Sequence, residues 1–97
     1  MVRILIERHL KAGKRGELIH RLRELRTAAI HQPGYISGET LSSLEDASIV
    51  SVLSTWQNLE DWKNWEESET RSKLEEQIEP LLIERPKVSI YQVMATD

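Results

Sequence analysis

The apolar residues of this chain change their spacing along the sequence, and each change marks the end of one element type and the start of another. Val2, Ile4 and Ile6 recur every second residue, the repeat of a strand with one face turned inward. Lys11-Ala12-Gly13-Lys14-Arg15-Gly16 interrupts that pattern as a turn. From Glu17 the repeat is helical: Leu18, Leu22, Leu25 and Ala29 form one stripe, widened by Ile19 and Ile30. Gln32-Pro33-Gly34 ends this helix, because Pro33 disfavours helical geometry at Gln32 and Gly34 permits a reversed backbone.

Residues 35–44 then read as a second strand, with Gly38 as a bulge or a point of close approach. A short polar turn leads into a third strand over 48–56, rich in β-branched residues, so the two form a hairpin. Asn58 has the character of a helix N-cap, with Asp61 in the capping-box position. The helix that follows carries a broken stripe of Leu59, Trp62, Trp65, Leu74, Ile78 and Leu81 or Leu82. Residues 66–73 lack apolar members, and a kink is expected there. Pro80 and Pro86 stop it ahead of a last strand over 87–94.

The order β, helix, β-hairpin, helix, β predicts a single α+β domain over residues 1–97. Its plan is ferredoxin-like βαββαβ, with a four-stranded antiparallel sheet covered on one face by two helices. Lengths agree, since a helix of about 16 residues and a strand of about 7 both span roughly 23–24 Å. Val2, Ile4 and Ile6 share one side of the first strand and Val50, Val52 and Trp56 one side of the third, while Tyr91 and Val93 lie opposite Ile90. Apolar residues thus fall on both faces, more than one helix layer buries, and the expected remedy is a homodimer through the sheet face.

Composition narrows the function classes. There is no cysteine, which removes disulfides, thiolate metal sites and cysteine nucleophiles and makes a cytoplasmic location the expectation. No apolar run reaches the roughly 18 residues of a membrane span. Residues 1–32 hold eight Lys or Arg against three acids, and the remainder five against thirteen. A nucleic-acid patch is one reading; the preferred one is a basic and an acidic helix side by side, since the net charge of −3 disfavours a phosphate-driven binder. RNA recognition on such a sheet also needs aromatics on the central strands, where only Trp56 stands, at an end.

Trp56, Trp62 and Trp65 hold most of the aromatic content, and the chain has no Phe. Trp62 and Trp65, three apart, share a helix face and either wall a substrate pocket or pack against the sheet. His20 and His31 are eleven residues apart on one helix, about 16 Å along its axis, too far to share a metal. His9, just past the first strand, is the histidine nearest a cavity rim. Glu7 and Glu75 are weak candidates for a general base, against the plainer role of surface or ion-paired acids. No metal-ligand cluster, phosphate loop or Ser-His-Asp set is present, so no metal site and no cofactor are expected.

Three stretches resemble the antibiotic biosynthesis monooxygenase family of dimeric α+β barrels. They are Gln32-Pro33-Gly34-Tyr35 before the second strand, Trp56 closing the third, and the run from Trp56 to Glu69. That run has a Trp, an acid-rich turn, an aromatic, a Trp three residues on, then Ser68-Glu69. The resemblance covers residues 1–94. It implies a cofactor-independent monooxygenase acting on a small aromatic or polyketide-like substrate, with Trp65, Trp62 and Trp56 about the substrate pocket. The alternative is a non-catalytic or regulatory dimer of the same fold that binds a small ligand. Haem-degrading relatives use an Asn late in the first strand, a Trp on the second long helix and a His about ten residues beyond. Trp65 fits, but the His position falls on Glu75 and the Asn position on Glu7 or Ile6. Haem degradation is therefore disfavoured. Oxygenase chemistry without a cofactor requires a substrate able to form a stabilised carbanion that reacts with O₂ unaided.

Overall fold

A computed structural model describes residues 1–96. Its elements are β1 (Val2–His9), α1 (Arg15–Ala29), β2 (Tyr35–Ser42), β3 (Ile49–Trp56), α2 (Leu59–Glu66), α3 (Glu69–Ile78) and β4 (Lys87–Gln92), with a 3-10 turn at Glu79–Leu81 before the last strand. The strands form one sheet in the order β2-β3-β1-β4, every neighbouring pair antiparallel. This is the ferredoxin-like arrangement that the element order predicts. No helix among the described residues is long and apolar enough to cross a membrane.

Three local features differ from the sequence expectation. The second long helix is not kinked but broken: α2 ends at Glu66, and Ser68 starts α3 by accepting a hydrogen bond from the Arg71 amide at 3.1 Å. Where no apolar residue ties a helix to the core, a serine hydroxyl competes successfully with the next helical turn. The register shift of β2 falls between Tyr35 and Ser37 rather than at Gly38. Gly38 is the close-approach point, since a Cβ there would stand 2.7 Å from the Tyr35 hydroxyl. β2 and β4 end two residues earlier than expected, at Ser42 and Gln92.

Register decides which side chains face the helices. Val2, Ile4, Ile6 and Arg8 pair with Trp56, Ser54, Val52 and Val50, so all eight lie on the helix-covered face. The apolar trio of β3 thus shares one inward face with that of β1. The open face carries Leu5 against Leu53 at its centre, flanked by Ile49, Leu41 and Tyr91. Leu41 and Tyr91 are 40% and 55% exposed, and Arg3 and Glu39 form an ion pair at 3.9 Å on the same face.

Under the helices the core divides in two. Val2, Ile4, Ile6, Ala29, Trp56, Trp62 and Trp65 form one cluster. Leu10, Leu18, Leu22, Val50, Ile78, Leu81 and Leu82 form the other. Leu25 packs against both.

Candidate functional site

A cleft opens where these clusters meet, bounded by β1, β2 and β3 on one side and by the helices on the other. Its cavity volume is about 70 Å³, and the empty space reaches about 580 Å³ when the open mouth is counted. Ligand pockets commonly run to about 300–1,000 Å³, so a ring-sized ligand enters this one only when side chains move.

The three tryptophans line this cleft. Trp56 ends β3, and its Nε1 donates to Ser54 Oγ at 3.1 Å. Its ring meets Tyr35 edge-on, with centroids 5.4 Å apart at 86°, and Trp62 at 5.9 Å and 62°. Edge-to-face contacts of this kind orient the rings as well as bury them. Trp62 and Trp65 come from α2, whose start is fixed by Asn58 Oδ1 accepting from the Asp61 amide at 2.9 Å. Gly34, at φ +81°, lets the chain turn beneath that helix, since a Cβ there would lie 2.1 Å from Asp61 Oδ2. Its carbonyl accepts from the Gln57 amide at 2.8 Å, joining the start of β2 to the end of β3.

The two arginines of the site come from places the sequence reading left aside. Arg8 continues the inward alternation of β1 and is 2% exposed. Its Nη2 donates to Glu75 Oε1, 67 residues away on α3. Arg71 also pairs with Glu75 at 3.4 Å, while its guanidinium lies 5.3 Å from the centroid of the Trp62 ring. Arg71 turns to Glu75 rather than to Glu67, which falls in the break between α2 and α3. Burial lowers the pKa of Arg8 from its ordinary value, and the charge and hydrogen bond of Glu75 pull it back up. Such a guanidinium remains a cation. Alternation alone marks Arg8, because a charge at the next inward position after Val2, Ile4 and Ile6 must find a buried partner.

The other candidates lie elsewhere. Glu7 is on the open face, paired across the sheet with Ser51 and Lys87, and does not reach the cleft. Glu75 does line it, held by β1 and its own helix rather than by the basic first helix. His9 stands 3.4 Å from Glu84 and His20 3.6 Å from Glu24, both away from the cleft, and His31 does not line it either. Among the described residues no three His, Cys, Asp or Glu side chains group as a metal site.

A ferredoxin-like α+β domain with a tryptophan-walled cleft beneath its helices is the class that fold and site define. The sequence profile of the antibiotic biosynthesis monooxygenase family matches residues 1–77, and the chain belongs to that family. Solved structures agree on the fold. A conserved protein from Methanosarcina mazei Go1 superposes with a TM-score of 0.88 at 18% identity, covering 94% of this chain and 90% of that one. Rv0793 from Mycobacterium tuberculosis gives 0.87 at 14%, covering 98% and 96%. A variant of SnoaB, a cofactor-independent oxygenase from Streptomyces nogalater, gives 0.87 at 9%, covering 98% and 94%. At such identities the likeness speaks for the fold alone. No curated protein matches the chain by sequence.

The residues present do not fit the haem branch of the family. No imidazole lines the cleft, and the position that would hold the iron ligand is a carboxylate engaged by two guanidiniums.

Proposed function

We propose that this chain is a cofactor-independent monooxygenase of the antibiotic biosynthesis type, acting as a homodimer on a small aromatic ketone or phenol bound in the cleft. The observation that carries the proposal is the convergence of all three tryptophans of the chain on one cleft that also holds Arg8, Glu75 and Arg71. The indoles stack and orient a flat ring. Glu75 takes the proton from an activated ring methylene, and Arg8 and Arg71 stabilise the enolate oxygen that results, where fixed charge in a water-poor site is most effective. The enolate carbon then gives electrons to O₂ and forms a peroxide at that carbon. Loss of water leaves a new ketone: one oxygen atom stays on the ring and the other departs as water. The open sheet face, with Leu5 and Leu53 central, packs against a second copy. A cysteine-free chain suits the reducing cytoplasm.

A second reading, a regulatory dimer that binds a small ligand without turnover, is favoured by two observations. The cavity volume is only about 70 Å³, and both guanidiniums already engage the Glu75 carboxylate. Oxygen uptake with anthrone-like and polyphenolic substrates separates the two. The expected result is uptake by the wild type that falls at least about tenfold, or roughly 1.4 kcal/mol of barrier, in Trp65→Ala. A panel that gives no uptake turns the conclusion to the second reading.

A further inference from the structure

A cavity of about 70 Å³ admits a ring only when part of its wall moves. Of the three helices, α2 is the one that no hydrogen bond or ion pair ties to another element among the described residues. α1 is held by Arg15, which donates to the Ala47 carbonyl at 2.9 Å and to Ser42 Oγ at 2.7 Å. α3 is held by the pairing of Glu75 with Arg8 on β1. Backbone bonding also stops at both ends of α2. The Ser68 amide donates back to the Trp65 carbonyl at 3.1 Å, and the Ser68 carbonyl accepts from the Ser72 amide at 3.1 Å, so no backbone bond crosses residue 68. At the other end the Gln57 amide is fixed to the Gly34 carbonyl, and the next bond, from the Trp62 amide to the Asn58 carbonyl, is internal to α2 and its cap. What keeps α2 in place is its two tryptophans, 1% and 4% exposed, and the Arg71 guanidinium over the Trp62 ring. Trp62 Nε1 is buried without a partner, so lifting the indole breaks no hydrogen bond and lets water supply one.

Resting on the reading of this cleft as a ligand site, we infer that α2 is its lid. The helix swings as a rigid body on joints at Asn58 and Ser68 and carries Trp62 and Trp65 off the cleft. Arg71, held on α3 by Glu75, is the latch, since its cation over the Trp62 ring favours the closed position. Closure behind a bound ligand excludes water from the charges of Arg8 and Glu75.

The test is hydrogen–deuterium exchange of the indole N–H groups in the ligand-free protein, followed by NMR at increasing urea. Trp62→Phe and Trp56→Phe assign the two signals, and Trp56, on β3 and bonded to Ser54, is the fixed reference. The expected result is Trp62 exchange at least about 100-fold faster than that of Trp56, through an opening with a urea slope above zero and well below that of global unfolding. A small slope is what the exposure of two indoles on one short helix produces. Arg71→Met, which removes the cation and keeps an unbranched side chain, should speed Trp62 exchange about threefold without steepening its slope. Trp62 exchange with the slope of global unfolding overturns the inference, and so does a slope of zero, which marks water entry without exposure of surface. A Trp62 rate unmoved by Arg71→Met, or equal rates at Trp62 and Trp56, overturns it as well. All four leave the oxygenase reading to its own test, oxygen uptake, and absence of uptake leaves the exchange result untouched.

Discussion

Glu75→Ala strands a cation inside the protein. Arg8 is 2% exposed, and Glu75 is its ion-pair partner, so the substitution leaves its guanidinium without an anion and beside the like charge of Arg71. Breaking a buried pair by removing one member costs about 3–5 kcal/mol. The figure should stand near the lower end, because Glu75 itself is 21% exposed and water can reach the space it leaves. A loss of about 3 kcal/mol is a large share of the roughly 5–15 kcal/mol that holds a domain together. The control is the double variant Arg8→Met with Glu75→Leu, which replaces both charges by apolar groups of similar size. It should recover most of the loss, because an apolar pair has no ions to desolvate. Urea unfolding of the wild type, Glu75→Ala and the double variant at one fixed protein concentration measures all three, since the proposed pairing would contribute to the apparent stability. A Glu75→Ala cost under about 1 kcal/mol, the range of exposed pairs, would refute the assignment of Arg8 as a buried charge dependent on Glu75.

Gly34→Ala should cost at least about 1–2 kcal/mol in the same assay, from positive φ at a residue with a side chain. The added Cβ also meets the Cβ of Asp61 at 2.6 Å, so rotating the carboxylate away does not relieve the contact. Leu53→Lys, at the centre of the open sheet face, should convert the proposed homodimer to monomer at micromolar concentration by sedimentation while far-ultraviolet circular dichroism stays unchanged; a wild-type monomer would contradict the proposed pairing. Asp46 accepts from the amide and the hydroxyl of Ser48, which hold its carboxyl below the usual carboxylate range. A folded-state pKa depressed in this way contributes stability above the unfolded value and loses it as pH falls through the folded one. Asp46→Ala should therefore flatten the acid limb of the stability profile, measured as urea midpoints from neutral pH down to pH 3, and an unchanged slope would count against the turn.

Much of the site could be read in one dimension. The Asn58 cap and the shared face of Trp62 and Trp65 follow from spacing within a single helix, and the structure shows both. Arg8 was legible too, as the inward continuation of Val2, Ile4 and Ile6. It escapes a search for reactive residues because a lone arginine at a strand end has no chemical signature without its partner. Glu75 is visible as a departure from the haem-degrading pattern. Its engagement with Arg8 depends on a contact 67 residues distant, which no local pattern encodes.

Local periodicity by itself determined the order of elements, their approximate ends and which residues of the first and third strands share a face, because those depend on steric and solvation preferences within a few residues. Tertiary structure decided the rest. Strand register placed Val50, Val52 and Trp56 beside Val2, Ile4 and Ile6 on one face. With no apolar residue across 66–68 to hold one continuous helix, the Ser68 cap turned a kink into two helices. Only closure of the helices over the sheet brought a tryptophan from β3, two from α2 and a charge pair from β1 and α3 around one cleft. Such convergence is non-local: each contact joins segments whose separation along the chain is bridged only after the core has formed, so it leaves no periodic trace in the sequence.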